Sequence, residues 1–218
     1  MSNIIINPYS FAKGFEGTII EQDDFTGTTI NTGKWTVTNP YGVISQNNDL
    51  TLTTDNASST NRVTGDNLTS INTANRDIIT ARCDFNWSGG LSIDHFISFG
   101  LWRDSNNFIY LENGYNSNNY AFVIEQGGSL RYNPVSSIER GKSIKVTYNT
   151  ANNEIKFWYW DSAWIQMGTT QTWDVRGAGV LQARILGNNY ATSGSGTPII
   201  GTIDNLYMTI GDYETLTP

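Results

Sequence analysis

Aromatic side chains are the residues of this sequence whose type and spacing best suit chemistry at a surface. The stretch from Glu154 to Trp160 alternates between two sets: Ile155, Phe157 and Tyr159 in one, and Lys156, Trp158 and Trp160 in the other. Successive side chains of a strand point to opposite faces, so one set packs in a core while the other presents its rings. Exposed flat rings stack on sugar faces and mark interaction sites. Trp158 and Trp160 are therefore candidate glycan-binding residues.

Three other aromatic residues, Trp102, Tyr110 and Tyr120, are further candidates for the same role. The alternative interpretation is structural, because loops could cover both faces of such strands and bury all of these rings. The sequence alone leaves both interpretations open.

Other catalytic and metal-binding patterns are incomplete. His95 is the only histidine, no Gly-x-Ser-x-Gly motif accompanies it, and no set of His and Cys residues has zinc-ligand spacing. We expect His95 to lie at the surface or in a loop. Gly141-Lys142-Ser143 resembles the end of a phosphate-binding loop, but the strand-like Ile144-Lys145-Val146 follows where that motif needs a helix.

Alternating apolar and polar residues recur along the chain and predict strands rather than helices. In residues 78–87 one face carries Ile79, Ala81, Cys83, Phe85 and Trp87. This pattern predicts a half-buried strand with the single cysteine, Cys83, pointing inward. About a dozen such segments at regular spacing, with polar turns between them, indicate an all-β protein: a two-sheet antiparallel jelly roll or sandwich.

The composition excludes several classes of function. Charged residues make up only 15% of the 218 residues, and the net charge is −7 with 13 Lys and Arg in no cluster. Contacts to phosphates require clustered cations, so we expect neither nucleic-acid binding nor attachment to an acidic membrane surface. No apolar run approaches the 18 residues of a membrane span.

Several short segments occur in an order that resembles a known superfamily. They are Asp23–Thr28 followed by Lys34-Trp35, then Asn48–Leu52, Phe99–Trp102 and Gly201–Leu206. Over about residues 22–211 this order resembles the concanavalin A-like lectin/glucanase superfamily, including laminin G-like jelly rolls. The resemblance implies two stacked antiparallel sheets, with a concave face that binds glycans in many members. It does not by itself fix the function.

The resemblance also implies where catalytic carboxylates would lie. Glucanases of this superfamily carry Glu-x-Asp-x-(x)-Glu on one strand, where one Glu is the nucleophile and the other the acid. Glu21-Gln22-Asp23 provides the first half, but Asp24, Phe25 and Thr26 follow and the second Glu is absent. We therefore expect no enzymatic activity and no required cofactor.

A structural calcium ion is a further expectation from the resemblance, because members often hold Ca²⁺ near their terminal strands. Asp204 in the last strand and Asp24 near the first would supply carboxylate oxygens, which suit calcium. The alternative is that these residues cap turns.

The first twenty residues differ from the rest of the chain and predict an extended arm. Alternation ends after Ile6, and Pro8 and Gly14 break regular structure. We expect residues 1–20 to be an assembly arm and residues 21–218 to be the jelly-roll domain. Its apolar side chains would anchor it to other subunits: Ile5, Tyr9, Phe11 and Phe15.

The segment from Ile5 to Phe11 resembles the start of many bacteriophage virion proteins. The leading hypothesis is a non-enzymatic virion protein, either a capsid decoration or a head or tail appendage. It would be made in the host cytoplasm and displayed on the outer surface of the particle. Its partners would be other virion proteins, copies of itself and glycans. The alternative is a secreted glycan-binding or glycan-cleaving protein of the same fold; the lack of a recognisable secretory signal favours the virion hypothesis.

Overall fold

A computed structural model describes residues 18–38, 42–54, 61–72, 77–89, 95–113, 118–177, 179–189 and 199–211. The described residues form sixteen strands and no helix, and so contain no helix that could cross a membrane. The strands are β1 Thr18–Asp23, β2 Trp35–Thr38, β3 Gly42–Gln46, β4 Leu50–Thr54, β5 Asn61–Asn72, β6 Ile78–Gly89, β7 His95–Asp104, β8 Asn107–Asn113, β9 Asn119–Gln126, β10 Ser129–Tyr132, β11 Val135–Glu139, β12 Lys142–Asn149, β13 Glu154–Trp160, β14 Trp164–Thr172, β15 Val180–Asn189 and β16 Ile199–Ile210.

The strands form two antiparallel sheets, which confirms the predicted two-sheet sandwich. Sheet 1 has the order β14-β13-β12-β6-β16-β4-β3, and β1 also pairs with β16. Sheet 2 has the order β10-β9-β8-β7-β15-β5-β2, and β11 also pairs with β9. Each sheet therefore has an inner face toward the other sheet and an outer face.

The inner faces of the two sheets form one apolar core. All five side chains of the predicted β6 face are buried: Ile79, Ala81, Cys83, Phe85 and Trp87. Burial raises the pKa of the Cys83 thiol well above its usual value, because the thiolate would lose its hydration. The prediction that Cys83 points inward is confirmed.

Tyr120 belongs to this core, so its proposed role in glycan contact is wrong. The ring is 0% exposed, and its hydroxyl donates to the Phe85 carbonyl at 2.7 Å. The same oxygen accepts a hydrogen bond from the Lys142 amide at 3.0 Å. Tyr120 thus connects β9 of sheet 2 with β6 and β12 of sheet 1, since a buried hydroxyl requires a partner.

His95 is also buried, which contradicts its predicted surface position. It is 0% exposed at the start of β7, and its Nδ1 lies 2.8 Å from the Thr54 hydroxyl. Thr54 in turn accepts a hydrogen bond from the Ile199 amide at 3.0 Å. His95 therefore takes part in a polar contact between the sheets rather than in a loop.

The predicted N-terminal arm overlaps sheet 1. Residues 18–20 belong to β1, whose pairing with β16 includes Ile19 opposite Thr209. Backbone pairing with the terminal strand places these three residues within the domain. The remaining arm, including the predicted anchors, lies outside the described residues.

Candidate functional site

The outer face of sheet 2 carries polar and aromatic side chains on strands whose inner faces are mostly apolar. Along β7, Ile97, Phe99 and Leu101 are 0% exposed in the core. The residues between them face outward, so Ser98, Gly100 and Trp102 lie on the outer face. Ser98 and Gly100 are buried within this face, whereas Trp102 is half-buried.

Trp102 is held on this face by a cation and its counter-charge. The Arg184 guanidinium carbon lies 4.2 Å from the centre of the Trp102 ring. Arg184 Nε is 2.7 Å from Asp66 Oδ1, which fixes the guanidinium from the other side. Burial raises the pKa of Asp66, while the Arg184 charge opposes that rise. The indole ring therefore rests on an ion pair that spans β5 and β15.

A stacked pair of aromatic rings, Phe108 and Tyr110, lies next to Trp102. Phe108 of β8 pairs directly with Trp102 across the sheet. Its ring stacks on Tyr110 with centroids 4.6 Å apart and an angle of 20° between the planes. Tyr110 is only 3% exposed, whereas Phe108 and Trp102 are half-buried. Trp102 and Phe108 thus provide the ring surface, and Tyr110 supports it.

Gly100 marks a close approach of two strands in the middle of this face. It lies between Arg184 on β15 and Tyr110 on β8. A Cβ atom at this position would come within 2.0 Å of the Ile109 carbonyl oxygen. Only glycine therefore fits the backbone here.

Glu112 places a carboxyl two residues from Tyr110 on the same side of β8. It pairs with Ser98 across the strands, and the Ser98 hydroxyl donates to Glu112 Oε2 at 3.0 Å. Burial raises the pKa of Glu112 to about 7, although the Ser98 hydrogen bond favours the ionised form. At neutral pH this carboxyl both donates and accepts hydrogen bonds, which suits recognition of hydroxyl groups.

Neither Asp66 nor Glu125 forms a glycosidase pair with Glu112. Asp66 lies three strands from Glu112, a backbone separation of at least roughly 14 Å. Glu125 pairs with Phe108, four residues from Glu112, which is about 13 Å along the strand. Glycosidase carboxyl groups lie about 5–10 Å apart, so both residues are too far from Glu112 for that role.

The half-motif Glu21-Gln22-Asp23 lies elsewhere, on β1 at the edge of sheet 1. Glu21 forms an ion pair with Lys34 at 3.1 Å. Asp23 accepts a hydrogen bond from the Trp35 indole at 2.8 Å. Both carboxylates connect β1 to the start of β2, a structural role.

The predicted aromatic candidates therefore lie in three separate places. Trp102 and Tyr110 are on the outer face of sheet 2, and Tyr120 is in the core. Trp158 and Trp160 are half-buried on the outer face of sheet 1, where the Trp158 indole donates to the Thr147 hydroxyl at 3.1 Å.

The two aspartates predicted to bind calcium each engage a turn. Asp24 Oδ1 accepts hydrogen bonds from the Thr26 amide and hydroxyl, which lower the pKa of Asp24. Burial and the neighbouring carboxylates Asp84, Asp49 and Asp24 raise the pKa of Asp204. Within the described residues, no three acidic, His or Cys side chains are arranged to hold a metal ion. A Ca²⁺ ion here would need amide or backbone oxygens as well.

Four residues of the sheet 2 site were absent from the sequence-based candidates: Asp66, Phe108, Glu112 and Arg184. Glu112 and Arg184 each occupy the polar position of an alternating strand, next to Leu111 and Ile185. The alternation therefore predicts that both face outward. The proximity of Arg184 to Trp102 depends on strand order, which the alternation does not encode.

Solved structures similar to this one share its whole sandwich. The Emp47p carbohydrate recognition domain superimposes with a TM-score of 0.61 at 13% identity, covering 90% of this chain and 97% of that one. A family 131 β-glucanase catalytic domain from Podospora anserina gives 0.60 at 11% identity, covering 91% and 98%. An immunostimulatory antigen and pseudo β-1,3-glucanase of Mycobacterium tuberculosis gives 0.59 at 14% identity, covering 88% and 99%.

These similarities show that the protein has the concanavalin A-like jelly-roll fold. No protein-family model matches the sequence, and no curated protein sequence matches it. At such low identity, similarity of structure carries the fold alone.

Proposed function

We propose that this protein is a non-catalytic carbohydrate-binding protein that holds a glycan on the outer face of sheet 2. The observation that carries the proposal is the Trp102 ring, fixed on the Arg184–Asp66 ion pair and adjoined by the Phe108 ring. A ring fixed in advance loses little conformational freedom when a ligand stacks on it.

A sugar combines an apolar ring face with hydroxyl groups at its rim, and the site offers a complement to both. The half-exposed Trp102 and Phe108 rings suit the apolar face. Arg184 donates hydrogen bonds, and Glu112 both donates and accepts them near neutral pH.

The fold supports this proposal without deciding between binding and cleavage. Proteins of this fold include a carbohydrate recognition domain, a β-glucanase and a pseudo-glucanase. We favour binding because Asp66 and Glu125 both lie beyond catalytic distance of Glu112.

A glycan array with matched variants tests the proposal. We expect the wild type to bind a neutral glycan, and Trp102→Ala to weaken that binding about tenfold through loss of one ring–sugar stack, ~1.4 kcal/mol. Trp173→Ala is the control, since Trp173 also stacks on an arginine, Arg131 at 5.3 Å, away from this face. Equal affinities for the wild type and Trp102→Ala would contradict the assignment.

The alternative, glycan cleavage, has its own test. Incubation with β-glucans should release no reducing ends. Release that disappears in Glu112→Gln would replace the binding proposal with a catalytic one.

We also propose, as the finer role, that the domain is displayed on a bacteriophage particle through residues 1–17. Its support is the resemblance of Ile5–Phe11 to virion proteins, together with β1, which fixes residue 18 to the edge of sheet 1. A variant that lacks residues 2–17 keeps β1, so it should fold with an unchanged melting temperature but fail to join particles. Normal incorporation of that variant would refute the role of the arm.

A further inference from the structure

The outer face of sheet 1 carries a ladder of alternating rings and cations. The Lys145 ammonium lies 5.1 Å from the centre of the Trp158 ring and 4.9 Å from that of Trp164. The Arg82 guanidinium lies 5.6 Å from the Trp164 ring and 5.2 Å from that of Tyr207. Four neighbouring strands each place one residue in a single row across the sheet: Trp158, Lys145, Arg82 and Tyr207. The Trp164 ring contacts both cations of this row.

This ladder fixes the tryptophan rings in place. Lys145 and Arg82 are 1% and 4% exposed, so the rings cover both cations almost completely. Each cation–π contact contributes about 0.5–2 kcal/mol, more where water is excluded. Trp164 in turn meets the half-buried Trp160 edge to face, with centroids 5.4 Å apart and an angle of 72°. Trp160 therefore projects from a rigid base.

A polar pocket lies close to Trp160 on the same face. Tyr159 pairs with Ile144, and extending that register by one residue places Trp160 next to Ser143. Next across the sheet come Asp84 and then Asp204. A pocket of about 280 Å³ is lined by Ser143, Asp84 and Asp204, together with Asn48, Asp49, Phe85, Asn86, Gly141, Lys142 and Thr202.

The polar groups of the pocket are oriented by one another. The Ser143 hydroxyl donates to Asp84 Oδ1. The Asn205 amide donates to Asp84 Oδ2 at 2.8 Å, and Asn205 has a positive φ of 48° that turns β16 at this point. Oriented carboxylates beside a fixed ring suit the hydroxyls of a sugar. Their negative charge disfavours an anionic ligand.

We propose that Trp160 and this pocket form a second binding site, for a neutral, hydroxyl-rich oligosaccharide that runs across the strands of sheet 1. One sugar stacks on Trp160, and its neighbour places hydroxyls near Asp84 and Asp204. The two sites lie on opposite faces of the sandwich, so one molecule bridges two glycan chains. This inference rests on the proposed function at the outer face of sheet 2.

Isothermal titration with a linear β-1,3-linked glucose hexasaccharide, combined with precipitation of soluble β-1,3-glucan, tests the proposal. The wild type should bind two hexasaccharides and precipitate the polymer. Trp102→Ala and Trp160→Ala should each keep one site at the wild-type affinity, bind the second hexasaccharide about tenfold more weakly, and precipitate the polymer only at a higher protein concentration. Gln166→Ala, on the same face next to Trp158, is the control and should behave as wild type. Melting curves check that each variant is folded.

The failures are distinguishable. One site in the wild type, lost in Trp102→Ala and kept in Trp160→Ala, overturns the second site and leaves the proposed function intact. One site lost only in Trp160→Ala refutes both the sheet 2 site and the bridging of two chains. Absence of binding to this probe and to every neutral glycan of an array overturns both proposals.

Discussion

The outer faces of the two sheets both place tryptophan rings on cations, yet they bury opposite kinds of charge. On sheet 1 the buried groups are Arg82 and Lys145, beneath Trp164. On sheet 2 the cation Arg184 remains half-buried, and the desolvated group is the Glu112 carboxyl, whose pKa burial raises to about 7. Both faces thus pair tryptophan rings with cations, but the two surfaces differ. The sheet 1 surface depends on rings packed over the permanently charged Arg82 and Lys145. The sheet 2 surface contains a carboxyl, Glu112, that titrates near neutral pH.

The largest expected effect concerns the backbone of sheet 2. Gly100→Ala should lower the free energy of unfolding by about 3 kcal/mol, because its Cβ would lie 2.0 Å from a carbonyl oxygen and the strands must shift. Gly187→Ala is the matched control on the inner face of the same sheet. Its Cβ would meet Ile97 at an ordinary 3.5 Å, so urea unfolding should show little change. Equal stabilities would contradict the close approach at Gly100.

The second-largest effect is expected on removal of Trp164, the ring that contacts both Arg82 and Lys145 on sheet 1. Trp164→Ala should lower the free energy of unfolding by about 2 kcal/mol, because two buried cations lose a ring and become partly uncovered. Trp160→Ala removes only an edge-to-face contact, so it should lower the free energy of unfolding by less than half as much. Chemical denaturation of both variants measures this, and a larger loss for Trp160→Ala would reverse the roles given to the two rings.

Titration of Glu112 should distinguish the two faces by pH. Its folded pKa of about 7 lies above that of a free glutamate, so the folded state binds the extra proton. Its stabilising contribution is therefore complete below about pH 4 and is lost as the pH rises through 7. Because of Glu112, we expect the free energy of unfolding to fall by about 1.5 kcal/mol between pH 5 and 8, after allowance for its partial exposure to solvent.

Glu112→Gln provides the readout for that titration. The variant should lose less stability than the wild type over the same pH range. Parallel pH profiles of the two proteins would show that Glu112 does not titrate near neutral pH.

Calcium should have the smallest effect. A weakly bound Ca²⁺ near Asp204 would relieve its repulsion from Asp84, Asp49 and Asp24, so EDTA should lower the melting temperature by a few degrees at most. Asp204→Ala should abolish the response to EDTA. Identical melting curves with and without EDTA in the wild type would dispose of the calcium hypothesis.

Much of the sandwich follows from local alternation. The β6 face and the strands of residues 97–101, 108–112, 120–125 and 154–160 were predicted because apolar residues recur there at every second position. The strands that were not predicted have weaker patterns. β14 is mostly exposed on both faces at the sheet edge, and β11 has no fully buried residue. Their position depends on pairing with neighbours, which single-strand periodicity does not report.

The candidate site was predictable only in part. Alternation placed Trp158 and Trp160 on an outer face, but it assigned Tyr120 no partner and missed its hydrogen bonds to the other sheet. It could not bring Arg184 beneath Trp102, because the two residues are 82 positions apart in the sequence and become neighbours through the β7–β15 pairing. Local sequence specifies which way a side chain points, whereas the order of strands decides what it meets.

The most direct test of the account follows the indole NH signals of the seven tryptophans by ¹⁵N NMR during titration with the β-1,3-linked glucose hexasaccharide. Signals are assigned from single Trp→Phe variants. The account predicts saturable shifts at Trp102 and Trp160 and none at the core residues Trp35 and Trp87, which are 2% and 4% exposed. A bound hexasaccharide that leaves the Trp102 signal unmoved would contradict the central claim that the outer face of sheet 2 binds glycans.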